Sequence, residues 1–406
     1  MGVIFKISEM CKKDLRVLCG WIIAGIVFLF INTPVFGQNN QRPAKVFKVG
    51  IFAPLYLDSA FNFGVLKYDR SFPKASIQAL DYIEGALIAL DSLSASQPVE
   101  AFIYDTKSYY KPLSSLIQNK TLDNLDLMIG SVRDQDYKQL AELALKRNIP
   151  FVSSTYPNDG GVTGNPFLII MNSTLKAHCE GIYNFIIQNH GTDKILLVKR
   201  RGDDRVANYF KALNEQEGKP ALKIETVTVD SAIYSSTLKN KLDSNRKSVV
   251  IGASLDEVFA RMLATACYGI KNKYGVTLIG MPNWDGFKSL LKPDAFKDFP
   301  ILYSTPYFVQ KGIYDNRLIN EYQRLYKARP SDLVYKGYQS TYFFTKLLLA
   351  YPIDFMSHLN DKTYSIFHDF NFKPVSLNKK VLVPDYYENT HLFIMKILNG
   401  SLSREW

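Results

Sequence analysis

Residues 125–154 read LDLMIGSVRDQDYKQLAELALKRNIPFVSS, and this stretch decides the fold. Leu125 to Ile129 reads as a short buried strand, about Asp134 to Arg147 as a helix, and Pro150-Phe151-Val152-Ser153 as a second strand. Strand, helix, strand is the unit of a parallel sheet, because the helix carries the chain back to the edge from which the next strand starts. The same alternation continues in both directions. Toward the N-terminus, Val46 to Phe52 is a strand ended by Ala53-Pro54-Leu55. Ser76 to Leu93 carries Ile77, Leu80, Ile83, Leu87 and Leu90 at helical spacing, Val99 to Asp105 is a strand, and Lys111 to Lys120 a helix. Toward the C-terminus, strands are expected at Ile195–Lys199, Lys223–Val229, Ser248–Gly252 and Val276–Gly280. Helices are expected at Leu175–Gln188, Arg205–Glu215, Thr237–Asp243 and Asp256–Ile270. That is more strands than one sheet carries comfortably, so two doubly wound, Rossmann-like α/β lobes are predicted.

Beyond residue 300 the rhythm changes. Leu302 to Tyr307 reads as a strand, Asp315 to Tyr326 as a helix, and Tyr335 to Leu349 as an apolar, aromatic-rich helix. Phe370–Val375 and Leu392–Leu398 read as strands with a polar loop between them.

The 406-residue chain is 47% hydrophobic and 21% charged, a globular balance with room for two or three domains. Lys6, Lys12, Lys13 and Arg16 precede the apolar run Gly20–Ile31, and Thr33 to Gly37 lead into a polar stretch. These are the parts of a cleavable export signal, with the cut expected after Gly37; a run of ~12 apolar residues is short of the about 20 that span a bilayer. The mature protein is therefore expected outside the cytoplasm and not membrane-spanning. Loss of residues 1–37 lowers the formal charge from +11 to +9, since four basic and two acidic residues leave. The excess is scattered, with Lys199-Arg200-Arg201 its densest cluster, where a nucleic-acid binder would gather it on one face. Cys179 and Cys267 remain; export permits a disulfide, while their helical, apolar contexts suit buried free thiols. Five scattered histidines and no C-x-x-C pair leave no metal spacing, and no cofactor or metal is expected. There is no Gly-x-Ser-x-Gly elbow, phosphate loop or Gly-x-Gly-x-x-Gly turn, so the chain reads as a non-enzyme.

Several segments, taken together, resemble a known family. They are Lys48-Val49-Gly50-Ile51-Phe52-Ala53-Pro54-Leu55, Gly85-Ala86-Leu87-Ile88-Ala89-Leu90-Asp91, Tyr104-Asp105-Thr106, Asp126 to Ser131, Asn148 to Ser154, and Tyr335-Lys336-Gly337-Tyr338-Gln339. In order and spacing they resemble the type I periplasmic solute-binding proteins, in particular the branched-chain amino-acid-binding subgroup of Bacteroidota-type envelopes. The resemblance implies two lobes joined by three hinge strands. A first lobe would comprise 46–168 and 303–372, with Leu302–Tyr307 returning to it, and a second lobe 172–300 and 373–406. It also implies that a small polar ligand, an amino acid or similar, is held between lobes that a transporter of the ABC type or a receptor then recognises. A regulatory envelope module with a vestigial cleft, bound to a protein partner, is the other role such a fold serves.

Candidate ligand residues lie at strand ends, where open α/β sheets bind their ligands. Ser131, in the turn Gly130 to Asp134, suits a carboxylate at a helix N-terminus, and Ser131 or Asp134 equally suits a helix cap. Ser154 and Thr155 follow the next strand; in the family this turn supplies hydroxyl and backbone contacts, although Tyr156-Pro157 follows sooner here than in the usual pattern. Turn hydroxyls also satisfy their own backbone. On the second lobe, Asp203, Asp204, Ser254 and Asn283 offer polar contacts, and Trp284 offers a ring for stacking; Asp203 and Asp204 also suit a helix N-terminus. Tyr56, after the first strand, completes the set.

Overall fold

The computed structural model describes residues 45–406 apart from 63, 68–71, 95–98, 216–217, 219 and 378–381. The expected export signal and its cut lie outside the described residues. In chain order the first part contains β1 (Phe47–Ala53), α1 (Leu57–Ala60), a small hairpin of β2 (Phe61–Asn62) and β3 (Val65–Leu66), and α2 (Lys74–Ser94). β4 (Val99–Asp105), α3 (Leu113–Gln118), β5 (Leu127–Gly130), α4 (Asp134–Arg147), β6 (Phe151–Ser153) and β7 (Leu168–Ile170) follow. The chain then crosses to α5 (Leu175–His190), β8 (Lys194–Arg200), α6 (Arg205–Glu215), β9 (Ile224–Val229) and α7 (Ser235–Lys239). β10 (Ser248–Gly252), α8 (Glu257–Tyr268), β11 (Val276–Ile279) and β12 (Ile301–Thr305) complete that run. It crosses back for α9 (Ile313–Tyr326), α10 (Asp332–Ala350), β13 (Phe372–Val375) and β14 (Tyr386–Asn389), then crosses a third time into β15 (Phe393–Leu398) and β16 (Ser401–Arg404).

Two seven-stranded sheets result, ordered β13-β14-β7-β6-β5-β1-β4 and β16-β15-β12-β11-β10-β8-β9. Pairing is parallel from β14 to β4 and from β12 to β9, while β13, β15 and β16 attach antiparallel. The Leu127–Gly130 strand is buried throughout, as a strand covered by helices on both faces must be. In the first lobe, Val49, Ile51, Leu127, Ile129 and Val152 face α2 and α10, while Phe52, Met128, Phe151 and Leu168 face the α3–α4 side.

The tightest contact in the first lobe joins helices far apart in sequence. A Cβ at Gly85 of α2 would stand 2.0 Å from the carbonyl oxygen of Val334, and one at Gly337 of α10 would stand 1.9 Å from that of Tyr82. The two helices therefore meet backbone to backbone, and no side chain fits at either position. This contact places α10 on the first lobe.

The lobe boundaries differ from expectation at three strands. Leu302–Tyr307 does not return to the first lobe: β12 pairs with β11 and β15 in the second sheet, and the crossing comes after Thr305. Its residues from Ile301 to Ser304 are buried, so both faces are already needed where it is. β13 and β14 belong to the first sheet, not the second, which places the final crossing near residue 390 instead of 373. β14 lies within the stretch expected to be a polar loop. Its buried Glu388 and Asn389 bind the hinge: the Thr174 N–H donates to Glu388 Oε1 (2.6 Å) and Ser173 Oγ donates to the Asn389 carbonyl (2.6 Å).

Cys179 and Cys267 are buried free thiols. No helix among the described residues is long and apolar enough to cross a membrane.

Two buried histidines sit beside the middle crossing. His178 Nδ1 and Ser304 Oγ lie 2.8 Å apart, and His368 Nδ1 donates to the Phe308 carbonyl (2.8 Å). Burial pushes His178 down to about 3 and His368 down to about 4 from an ordinary 6.5. Both are neutral in the fold and take up protons only on unfolding, so each costs stability as pH falls from 6.5 toward those values.

Two outcomes follow. Gly337→Ala should lower unfolding free energy in urea by about 3 kcal/mol, while the exposed Gly275→Ala, which meets only ordinary contacts, should change it by no more than about 0.5 kcal/mol. Between pH 7 and pH 4.5 the native protein should lose about 2.5 kcal/mol more stability than His178→Gln, measured by denaturant titration at each pH.

Candidate functional site

The strand ends of the first lobe are organised by two carboxylates and a tyrosine. Asp105, closing β4, accepts from the N–H groups of Leu55 (2.9 Å), Tyr56 (3.1 Å), Leu57 (2.8 Å) and Lys107 (2.9 Å). That places Tyr56 in a left-handed turn (φ 55°) at the start of α1. Asp58 holds the next turn by accepting from Ser108 Oγ (2.7 Å) and the Tyr109 N–H (2.8 Å). Tyr82, fully buried on α2, reaches across the sheet: its hydroxyl donates to Ser154 Oγ (2.8 Å) and lies 2.9 Å from Ser340 Oγ on α10. Burial pushes the Tyr82 phenol up to about 12, and the two serines oppose that shift.

The structure brings Ser131 and Thr155 together, with their hydroxyls 3.0 Å apart across the ends of β5 and β6. Ser131 does not cap α4, whose N-cap is Arg133 with no side-chain hydrogen bond. Asp134 is the first helical residue, at φ 55°, and lies 3.7 Å from Arg133. The Thr155 carbonyl accepts from Asn172 Nδ2 (2.7 Å) on the first crossing.

In the second lobe the expected residues gather on one turn, after β10. Ser254 Oγ donates to Asp203 Oδ2 (2.8 Å), Asn283 Nδ2 donates to the Leu255 carbonyl (2.8 Å), and Trp284 Nε1 donates to the Ser254 carbonyl (3.0 Å). Asp204 pairs with Lys199 of its own lobe. One expectation needs correction. Trp284 offers no ring for stacking: it is fully buried, seated on Gly252 and Gly280, where an added Cβ would stand 2.5 Å and 2.1 Å from the indole. Bare glycines at the ends of two adjacent strands make the slot that the indole fills. Asp203 accepts from Ser254 and Asp204 pairs with Lys199, both within their own lobe.

Four residues lie between the lobes without having been read from the sequence. Tyr307, on the middle crossing, donates its hydroxyl to the Ser154 carbonyl, and burial pushes its phenol well up. Lys336, in the second turn of α10, places its ammonium 4.1 Å above the Tyr307 ring. Asp285 follows β11 in the second lobe, and Asp332 opens α10. Burial lowers the Lys336 ammonium, and the charges of Asp332 and Asp285 oppose that. Burial raises the Asp285 carboxyl, and Lys336 opposes it. The one signal in the sequence was a lysine inside the aromatic, apolar run Val334 to Phe344.

The sites differ in what truncation removes. Trp284→Ala should lower unfolding free energy by about 3–5 kcal/mol, whereas Ser131→Ala should cost about 1 kcal/mol or less, both by denaturant titration. Only the second is then a clean probe of binding.

No protein-family model and no curated protein matches the sequence. Among solved structures, a putative branched-chain amino acid ABC transporter protein from Rhodospirillum rubrum is similar at 13% identity and TM-score 0.63, over 89% of this chain and 100% of that one. A branched-chain amino acid ABC transporter periplasmic ligand-binding protein from Burkholderia xenovorans is similar at 11% identity and TM-score 0.59, over 89% and 94%. An ABC transporter substrate-binding protein from Desulfitobacterium hafniense, solved in complex with Leu, is similar at 11% identity and TM-score 0.54, over 89% and 100%. The chain has the type I periplasmic binding protein fold: two α/β lobes joined by three crossings.

Proposed function

We propose that this chain is an extracytoplasmic solute-binding protein that closes its two lobes around a small polar ligand and presents the closed form to an ABC-type transporter or a receptor. It is a binding protein and not an enzyme. The observation that carries this reading is that Tyr307, on the middle crossing, bonds Ser154 beside the Ser131–Thr155 pair and lies under Lys336, while the charges of Lys336 and of Asp285 in the opposite lobe act on one another. Three crossings permit rotation of one lobe against the other, and a ligand that touches both shifts the population to the closed state by its differential affinity. The basic start and short apolar run of the N-terminal sequence support export, and the likeness to a periplasmic ligand-binding protein of an ABC transporter supports the transport role.

A second reading, an envelope module bound to a protein partner with a vestigial cleft, is favoured by the second-lobe strand ends. There Asp203 accepts from Ser254, Asp204 from Lys199, and the Asn283 amide nitrogen donates to the Leu255 carbonyl, each within the lobe.

The two readings separate in a thermal-shift screen of the purified protein against amino acids, short peptides, nucleobases and organic acids. A ligand at 100 times its dissociation constant adds about 2.7 kcal/mol of stability. The solute-binding reading expects such a compound, with the shift weakened in Ser131→Ala. A flat screen together with a retained protein partner would support the envelope module.

A further inference from the structure

We propose that the open edge of β4 is a docking site for an extended, uncharged apolar segment of a partner polypeptide, which joins the first sheet as a further strand. The site goes beyond the solute-binding reading. It lies at the edge of the sheet opposite β7 and β14, the strands from whose ends the chain crosses between lobes.

The main chain of β4 supplies the recognition. Its residues pair with β1 in unbroken register from Val99 to Asp105, and the Thr106 N–H donates to the Ala53 carbonyl (3.0 Å). In a strand the N–H and C=O of one residue point to the same side, and successive residues alternate. Phe102 and Tyr104 therefore turn their peptide groups to β1, and Val99, Ala101 and Ile103 turn theirs outward. Among the described residues nothing bonds those outward groups. Donors and acceptors alternating at the strand repeat are matched by the backbone of another strand.

The other edges of the two large sheets are guarded. β13 is four residues long and carries Lys373 and Pro374. β16 is also four residues long, fully exposed, and ends in Arg404. β9 carries Glu225, paired with both Lys194 and Lys241. Short strands, prolines and charges are the means by which edges are kept from pairing. β4 has neither proline nor lysine, and it is half-buried along its whole length.

That half-burial at an edge comes from walls on either face. A cavity of about 530 Å3 lies against β4. Leu57, Leu80 and Ile83 line it on the α2 side, and Phe102, Tyr104 and Leu116 on the α3 side. Alternate side chains of an added strand would meet these two apolar walls in turn, while its backbone pairs with Ala101 and Ile103. Lys48, Lys111, Asp58 and Asp105 also line the cavity. With two charges of each sign its formal charge is nil, which suits an uncharged segment. A single extended segment can enter between the walls. In a second copy of this chain β4 is sunk between the same walls, which would meet before the strands paired.

The probe is a fluorescein-labelled heptapeptide, Ser-Val-Tyr-Val-Tyr-Val-Ser, read by fluorescence polarisation on the purified protein. Its companion is the same peptide N-methylated at the five internal residues. The unmethylated peptide should bind, with affinity changing less than about twofold between about 50 mM and about 500 mM sodium chloride. The methylated one should bind about tenfold or more weakly, because its backbone cannot pair. Ala101→Pro should lose binding to the same extent while melting within about 5 °C of the native protein, since proline is tolerated where the N–H faces away from the sheet. The methylated peptide is tested on the native protein and so decides even where Ala101→Pro does not fold. Absence of binding, comparable binding of the two peptides, undiminished binding by folded Ala101→Pro, or a larger salt dependence overturns the inference. So does a dimer in analytical ultracentrifugation that Ala101→Pro dissociates, which assigns the edge to a second copy. None of these outcomes bears on the ligand screen between the lobes.

Discussion

The first lobe depends on one steric constraint, the absence of side chains where α2 and α10 cross. Gly85 and Gly337 let two helix backbones touch, and that contact does more than fill space. Tyr82 lies one turn before Gly85, and Ser340 lies one turn after Lys336. The crossing therefore sets where the Tyr82 hydroxyl meets Ser340 and Ser154. Through Ser154 it reaches Tyr307 and the middle crossing, and through α10 it sets the position of Lys336. Packing and cleft chemistry are the same set of atoms here, because interiors at crystal-like density transmit a displacement instead of absorbing it.

The two lobes meet the demand for satisfied polar groups in different ways. In the second lobe the strand-end turn after β10 is tied by Asp203, Asn283 and Trp284, while the buried Asn283 Oδ1 has no partner among the described residues. In the first lobe the corresponding ends keep a hydroxyl pair and a lysine whose hydrogen bonds are incomplete. A buried polar group left unsatisfied is costly, so an arrangement of this kind is stable only with solvent or another molecule supplying the missing bonds.

Much of the fold was legible because strand and helix periodicities differ and repeat. Leu125 to Ser154 yields β5, α4 and β6 with boundaries close to those observed. What was not legible depended on tertiary context. The strand Tyr386–Asn389 is polar by composition, and only its hydrogen bonds to Ser173 and Thr174 explain why Glu388 and Asn389 are buried. The sheet to which Ile301–Thr305 belongs follows from its partners β11 and β15, which no local pattern encodes. Ser131, Ser154 and Thr155 were picked out because open α/β sheets bind ligands at strand ends. Trp284 was misread for the same reason: a tryptophan at a strand end looks like a stacking platform until the glycines beneath it are seen. Lys336 was overlooked because a lone lysine in an aromatic helix carries no motif.

The threading of both sheets by distant segments has a consequence for biogenesis. β14 pairs beside β7, and β15 beside β12, so neither sheet is complete until residues beyond Tyr386 are present. A chain emerging N-terminus first would expose the unfinished edge of β7 through much of its passage and that of β12 toward its end, and such edges pair readily with other chains. Non-local closure of this kind is also slow, since loop entropy must be lost before the last strands contribute. Such a chain needs protection until its final segment arrives, and its assembly is timed by its C-terminus.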